Sequence, residues 1–263
     1  MTTKLTLLIA MAAFGLFLPC LHGQTTNLDV GQIIHDLELA EYAPDENASL
    51  QNFLSLIKSD MWAQVPTDQK ERAVAAFIKT LRRGARLVGR IESEEGRQYL
   101  MLLGEISATL KDKRTIPILA DGVVSGYFQG ALVAIGRPAI PVLVKRYGDK
   151  TVAGTGNGKS MILEIFMEMG PDTVGTENNV VELAVNACKD KDSGVRKAAV
   201  MALGALGDRR HIAMLEKIAA DDQKYYEVKT TTTSFRKYVV RDKAKAALEK
   251  LRKRFPDKPE KNN

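Results

Sequence analysis

The chain predicts an all-α solenoid, a superhelix of stacked helix pairs, on three observations. Val195-Arg196-x-x-Ala199-x-x-Ala202-Leu203 recurs as Val240-Arg241-x-x-Ala244-x-x-Ala247-Leu248, 45 positions later. A helical unit that repeats with small residues at its packing positions belongs to a stacked array, because no single unit can bury its apolar face alone. Gly136, Gly170 and Gly207 stand 34 and 37 residues apart, each at the end of an apolar-periodic segment. A helix that must reverse direction ends best on a left-handed residue, which Gly adopts at little cost. Finally, apolar residues make up 45% of the chain and aromatic ones only 6%. A core of small aliphatics suits closely stacked helices better than a sheet sandwich.

The first element is a targeting segment. Lys4 precedes an apolar run from Leu5 to Leu18, which Pro19 breaks. That run is shorter than the ~20 residues a membrane-spanning helix needs, so residues 1–23 read as a signal peptide cleaved after Gly23. The expectation is export, periplasmic or secreted. Lipid anchoring through Cys20 is not expected, since Pro19 stands where a small residue belongs. Cleavage leaves Cys188 as the only cysteine, with His35 and His211. Neither a disulfide framework nor a His/Cys metal site of ordinary spacing can be assembled from these.

Residues 24–92 form an N-terminal helical region, with helices over 27–42, 46–60 and from Thr67 onward; Val74, Phe77, Ile78, Leu81, Leu87 and Val88 recur at spacings of three and four. Ser93 is the expected N-cap of a helix to Leu110. Helix pairs then follow regularly: 114–121; 124–135 and, past Gly136, 138–147; 158–169, ending at Gly170-Pro171, and 177–189; 193–206 and, past Gly207-Asp208, 211–220. Pro117 and Pro138 lie near first helical turns, where the missing N–H is tolerated. Residues 93–255 are the expected repeat domain, and 256–263 a basic polar tail. Residues 221–237 interrupt the pattern with about ten extra positions. From Tyr225 to Tyr238 the chain is rich in β-branched and aromatic residues, which predicts a small hairpin within 221–238. Such an insertion either contributes to a recognition surface or shields the last repeat.

Asp192, Val195, Arg196, Ala199, Leu203, Gly207, Asp208, Ile212 and Leu215 resemble a HEAT repeat of the short kind found in bilin-lyase-like proteins, and Val240, Arg241, Ala244, Ala247 and Leu248 resemble the first half of another. The resemblance implies that Asp and Arg near each first helix link adjacent repeats, here Asp192, Arg196 and Arg241, with Val195 and Val240 in the packing. It also implies that second helices line the concave side. Lys145, Arg146, His211, Met214 and Lys217 are therefore the candidate partner contacts.

Several motifs suggest chemistry. Residues 153–160, Ala-Gly-Thr-Gly-Asn-Gly-Lys159-Ser160, fit a relaxed phosphate loop with Ala in place of the first Gly. A phosphate loop needs a buried strand before it, and 138–147 reads as a helix, so the glycines are expected to serve an inter-repeat turn. Asp190-x-Asp192-x-Gly194 lacks the bidentate Glu of a calcium loop, Met201 standing in its place, and is expected instead to cap the helix that starts after Ser193. Cys188 follows an apolar stripe and reads as a small hydrophobe, not a thiol nucleophile paired with His211. Glu94 and Glu95 suit a first helical turn. Arg82, Arg86 and Arg90 recur every four residues, and with Arg83 and Arg97 form a basic cluster on a helical stretch.

Charge is uneven. Between Arg236 and Asn263 there are 11 Lys/Arg against 4 Asp/Glu, so the end of the chain from Arg236 to Lys261 could attract an anionic polymer or membrane surface. The leading expectation is an exported, non-catalytic scaffold that binds a protein partner, without cofactor or metal and without nucleic acid. The alternatives are a binder of anionic envelope polymer or lipid through that basic end, or a nucleotide-binding enzyme using 153–160.

Overall fold

The computed structural model describes residues 29–39, 46–149, 156–175, 179–229 and 234–256. The expected signal peptide, residues 153–155 of the glycine-rich motif, the hairpin tip and the tail beyond 256 lie outside the described residues.

The described residues are all-α apart from one hairpin. In order, the helices are α1 (Val30–Leu39), α2 (Glu46–Lys58), the single turn α3 (Met61–Gln64), α4 (Thr67–Ala85), α5 (Glu94–Leu110), α6 (Ile116–Asp121), α7 (Gln129–Ile135), α8 (Ile140–Tyr147), α9 (Gly156–Val174), α10 (Val180–Ala187), α11 (Ser193–Leu206), α12 (Ile212–Asp221) and, after strands β1 (Tyr226–Lys229) and β2 (Ser234–Lys237), α13 (Val239–Arg254). α2, α5, α7, α9, α11 and α13 pack side by side in chain order. α1, α4, α6 and α8 form a second row, which α10 and α12 continue by packing on α11 and α13. Alternation between two layers, each element touching its predecessor's neighbour, is the α-solenoid.

The alternation begins before residue 93. α2 packs on α5, α4 on α5 and α6, and one continuous core cluster runs from Ile33 to Leu206. A second cluster, from Leu163 to Leu251, closes the C-terminal end. Residue 92 is thus no packing boundary.

Caps and turns follow local chemistry. Ser93 Oγ accepts the Gly96 N–H at 3.1 Å, as expected of an N-cap, and Asp192 Oδ1 accepts from the Gly194 and Val195 N–H groups at 2.7 and 3.1 Å. Gly136 and Gly170 have φ of 73° and 74°, the left-handed form expected at these reversals. Gly207 does not: its φ is −68° and ψ 175°. Space is what demands glycine there, because a Cβ would lie 2.5 Å from the Leu203 carbonyl oxygen.

Three boundaries differ from expectation. Gly126, with φ 77°, separates a 3-10 turn at Val123–Ser125 from α7, so no single helix spans 124–135. Asn179, also left-handed with φ 53°, holds the start of α10 at Val180. α4 ends at Ala85, and turns through Gly89 (φ 78°) follow, so Arg90 does not share a helix with Arg82. The insertion does form a hairpin, antiparallel, with Tyr226 opposite Lys237 and Val228 opposite Phe235.

Candidate functional site

Adjacent units are joined through one repeated device. Lys159, Arg196 and Arg241 occupy the same position in α9, α11 and α13, 37 and 45 residues apart (196 − 159 and 241 − 196). Lys159 Nζ donates to Asp190 Oδ2 at 2.8 Å and lies 5.4 Å from the Tyr147 ring centroid. Arg196 grips the Asp222 carboxylate with two donors, at 2.7 and 3.1 Å, and also donates to the Asp190 carbonyl at 3.0 Å. Arg241 Nε donates to the Asp222 carbonyl at 2.6 Å while its guanidinium lies 4.3 Å from the Tyr238 ring centroid. Burial opposes ionisation of Asp222, whose side chain is only 8% exposed, yet the Arg196 hydrogen bonds hold its carboxyl below the ordinary value.

Arg196 and Arg241, implied as linkers by the resemblance, thus meet on Asp222, which the sequence reading passed over. Its signal was available: Asp222 follows α12 as Asp190 follows α10. Asp192 serves instead as the cap of its own helix. Val195 and Val240 are fully buried between the helices.

The same device disposes of the phosphate-loop reading. The element before the motif is helix α8, and the Lys159 ammonium is engaged by Asp190 and shielded by Tyr147. It is a joint residue, not a phosphate ligand.

Residues 164–234 match the family model for HEAT repeats. That stretch is a run of HEAT repeats. No curated protein and no solved structure matches the chain. The match covers the Arg196–Asp222 joint but neither Lys159 nor Arg241, whereas the two-layer packing extends from α1 to α13.

Where the turns of the array meet its last helix, they enclose a cleft of ≈ 580 Å³. Its apolar lining is Pro171, Val181, Val185, Leu206 and Phe255; Glu182, Asp208, Arg210, His211 and Arg254 supply the polar groups. All of these polar groups but Glu182 are fixed by the local fold. Arg254, at the end of α13, donates to the carbonyls of Gly204, Ala205 and Gly207 at 3.1, 2.7 and 3.0 Å, so it caps the C-terminus of α11. A cation at the negative end of a helix dipole is stabilising. His211 Nδ1 lies 3.0 Å from both the Asp208 N–H nitrogen and Asp208 Oδ1, closing a capping box at the start of the turn into α12. Side-chain and backbone hydrogen bonds from Arg210 pull the Asp208 carboxyl down to about 2.

Of the five candidate contacts only His211 lines this cleft. Arg146 is held by ion pairs to Asp121 and, at 3.0 Å, to Asp149, so its charge is already used within the array. Lys145 and Lys217 are exposed and Met214 half-buried, on α8 and α12 respectively. They are not brought together with His211 in one pocket. Sequence reasoning missed Arg254 and Phe255, because a residue near the chain end reaches back 47 to 50 positions to the α11 turn.

Other suggested chemistry dissolves in the same way. Cys188 is buried, and burial pushes its thiol up to about 12. Glu94 pairs with Arg97 and Glu105 with Lys58, at 2.7 and 2.5 Å. Asp190 accepts from Lys159 and from the Asp192 N–H, and Asp192 caps α11, so neither carboxylate is presented to a cation. Among the described residues no three His, Cys, Asp or Glu side chains gather into a metal-binding group.

Proposed function

We propose that this protein is an exported, non-catalytic scaffold that holds an extended segment of a partner protein in the cleft between α10, the α11–α12 turn and the end of α13. HEAT repeats generally mediate protein–protein interaction and are typically non-enzymatic. The observation that carries the finer reading is the cleft itself. It draws on successive units, has an apolar floor and a polar rim, and its Asp208, Arg210, His211 and Arg254 groups are pre-ordered by caps, which lowers the entropy cost of binding.

The test is capture from the cell envelope by the full chain, compared with Glu182→Lys/Arg210→Glu. Both substitutions are on exposed rim side chains. Partners retained by the wild type and lost by the variant support the cleft; identical captures by both reject it. Export is checked separately by the N-terminal residue of the purified protein, and a retained Met1 would overturn it.

A second reading rests on the last helix. Lys243, Lys245 and Lys250 are exposed on α13, with no carboxylate partner among the described residues. With the basic tail they could attract an anionic polymer or lipid. Binding through them should weaken steeply with salt, the mark of screened surface charge, and salt-independent binding would reject this route.

A further inference from the structure

Arginines in this molecule are almost all engaged. Arg72 donates to Glu38 at 3.0 Å, Arg252 to Glu216 at 2.5 Å, and Arg137 and Arg254 to backbone carbonyls. In the hairpin, Arg236 lies 4.5 Å from the Tyr225 ring centroid. The exceptions fall in one place. Arg82, Arg86 and Arg90 are exposed and have no carboxylate or carbonyl partner among the described residues, and neither has Lys79 one turn earlier. Lys79, Arg82 and Arg86 lie on one exposed edge of α4 and its C-cap, successive positions about 4.5–6 Å apart along the axis. Arg90 extends the row past the helix end.

We infer that Lys79, Arg82, Arg86 and Arg90 form a docking surface for a short acidic segment of a partner protein. The inference rests on the protein-binding reading above and adds to it a second surface and the partner's chemistry. Three unpaired guanidinium groups present forks that match carboxylates two donors at a time, as Arg196 does with Asp222. Carboxylates one helical turn apart on a partner would match the same spacing. The row is also bounded. Glu71, bound to Arg114, flanks it near the start of α4, and exposed Glu92, Glu94 and Glu95 follow Arg90 directly. A duplex or a membrane surface, which needs cations over a long track or plane, would run into these carboxylates; a short acidic segment would not.

A labelled Glu-rich dodecapeptide, titrated with the full chain and followed by fluorescence anisotropy, is the probe. The expected result is saturable binding that Arg82→Gln/Arg86→Gln weakens roughly tenfold or more, while Lys243→Gln/Lys250→Gln changes it by less than about twofold. Both pairs are exposed, and circular dichroism melting separates lost affinity from lost fold. Absent saturable binding, equal weakening by both pairs, or tighter binding of an oligonucleotide or of phosphatidylglycerol vesicles would each overturn the assignment. Because the cleft variants alter a different surface, failure here leaves the scaffold reading standing, and failure there leaves this one measurable.

Discussion

The two ends of the array are built to the same plan from different side chains. Between α1 and α5 the core is filled by large residues: Phe53, Phe77, Leu50, Leu56 and Leu81 are fully buried, and Phe53 contacts both Phe77 and Trp62 with centroids 5.9 Å apart. Between α11 and α13 the buried aliphatics Val195, Leu203, Val240 and Leu251 are interleaved with Ala198, Ala199, Ala202, Ala244 and Ala247, and the helices approach so closely that a Cβ on Gly204 would lie 2.7 Å from Ala247 Cβ. The family model reaches into the second region, over α11 and α12, and not into the first, although both carry the same layering. The contrast teaches what a repeat signature records. Close helix approach admits only Gly or Ala at a few positions and so leaves a readable pattern. A gap filled by large aliphatics accepts many combinations of equal volume, and no fixed residue marks the unit.

Substitutions can break this contrast. The largest effect is expected from Phe53→Ala, which leaves a cavity in the large-residue core and should cost about 3–5 kcal/mol in urea unfolding. In a quasi-one-dimensional array the loss should be local, so hydrogen exchange should quicken in α2 and α4 before α13. Uniform loss of protection along the chain would show that the two regions form one cooperative unit. Next, Asp222→Ala leaves Arg196 half-buried without its carboxylate and should cost about 2–4 kcal/mol, felt mainly between α11 and α13. Gly204→Ala should cost about 1–3 kcal/mol through overpacking, despite the helix propensity it gains. A stabilised variant would mean that α13 can move away freely, and the small-residue argument would fail.

Smaller effects sharpen the joints. Lys159→Ala should cost about 1 kcal/mol, since its side chain remains 25% exposed and the pair is partly screened. A loss as large as that of Asp222→Ala would give the two joints equal weight. The smallest expected effect is on pH dependence. Asp208, at about 2, sits below the ordinary carboxyl value of about 3.9, so its contribution is present above that value and is lost as pH falls toward 2. The urea midpoint of the wild type should fall over that window, and Asp208→Asn should flatten part of the fall. Because Asp208 is 39% exposed, the part it carries should be modest.

Much of the scaffold was legible. Apolar spacing placed the helices, Ser93 and Asp192 announced caps, and Gly136 and Gly170 marked reversals where φ is positive. Less was legible of the candidate site. His211 could be picked out as a second-helix residue, but whether Arg146 is free depends on Asp121, which lies on a different unit. Arg254 meets the α11 carbonyls only because α13 packs parallel to that helix, with their C-terminal ends together, and Phe255 follows it into the cleft.

The sequence alone determined the class of fold, the repeat register and the interruption that became the hairpin, because each is set within a few residues by period, turn chemistry or β-branched content. Register alone also places Lys159, Arg196 and Arg241 at one position. What only the tertiary structure decided is which charges are used up. An ion pair needs two groups brought together from distant parts of the chain, and spacing along one helix says nothing about the other partner. Asp222 is therefore found as the joint, Lys159 is withdrawn from phosphate chemistry, and Arg82, Arg86 and Arg90 remain as the arginines outside the hairpin still without a partner among the described residues.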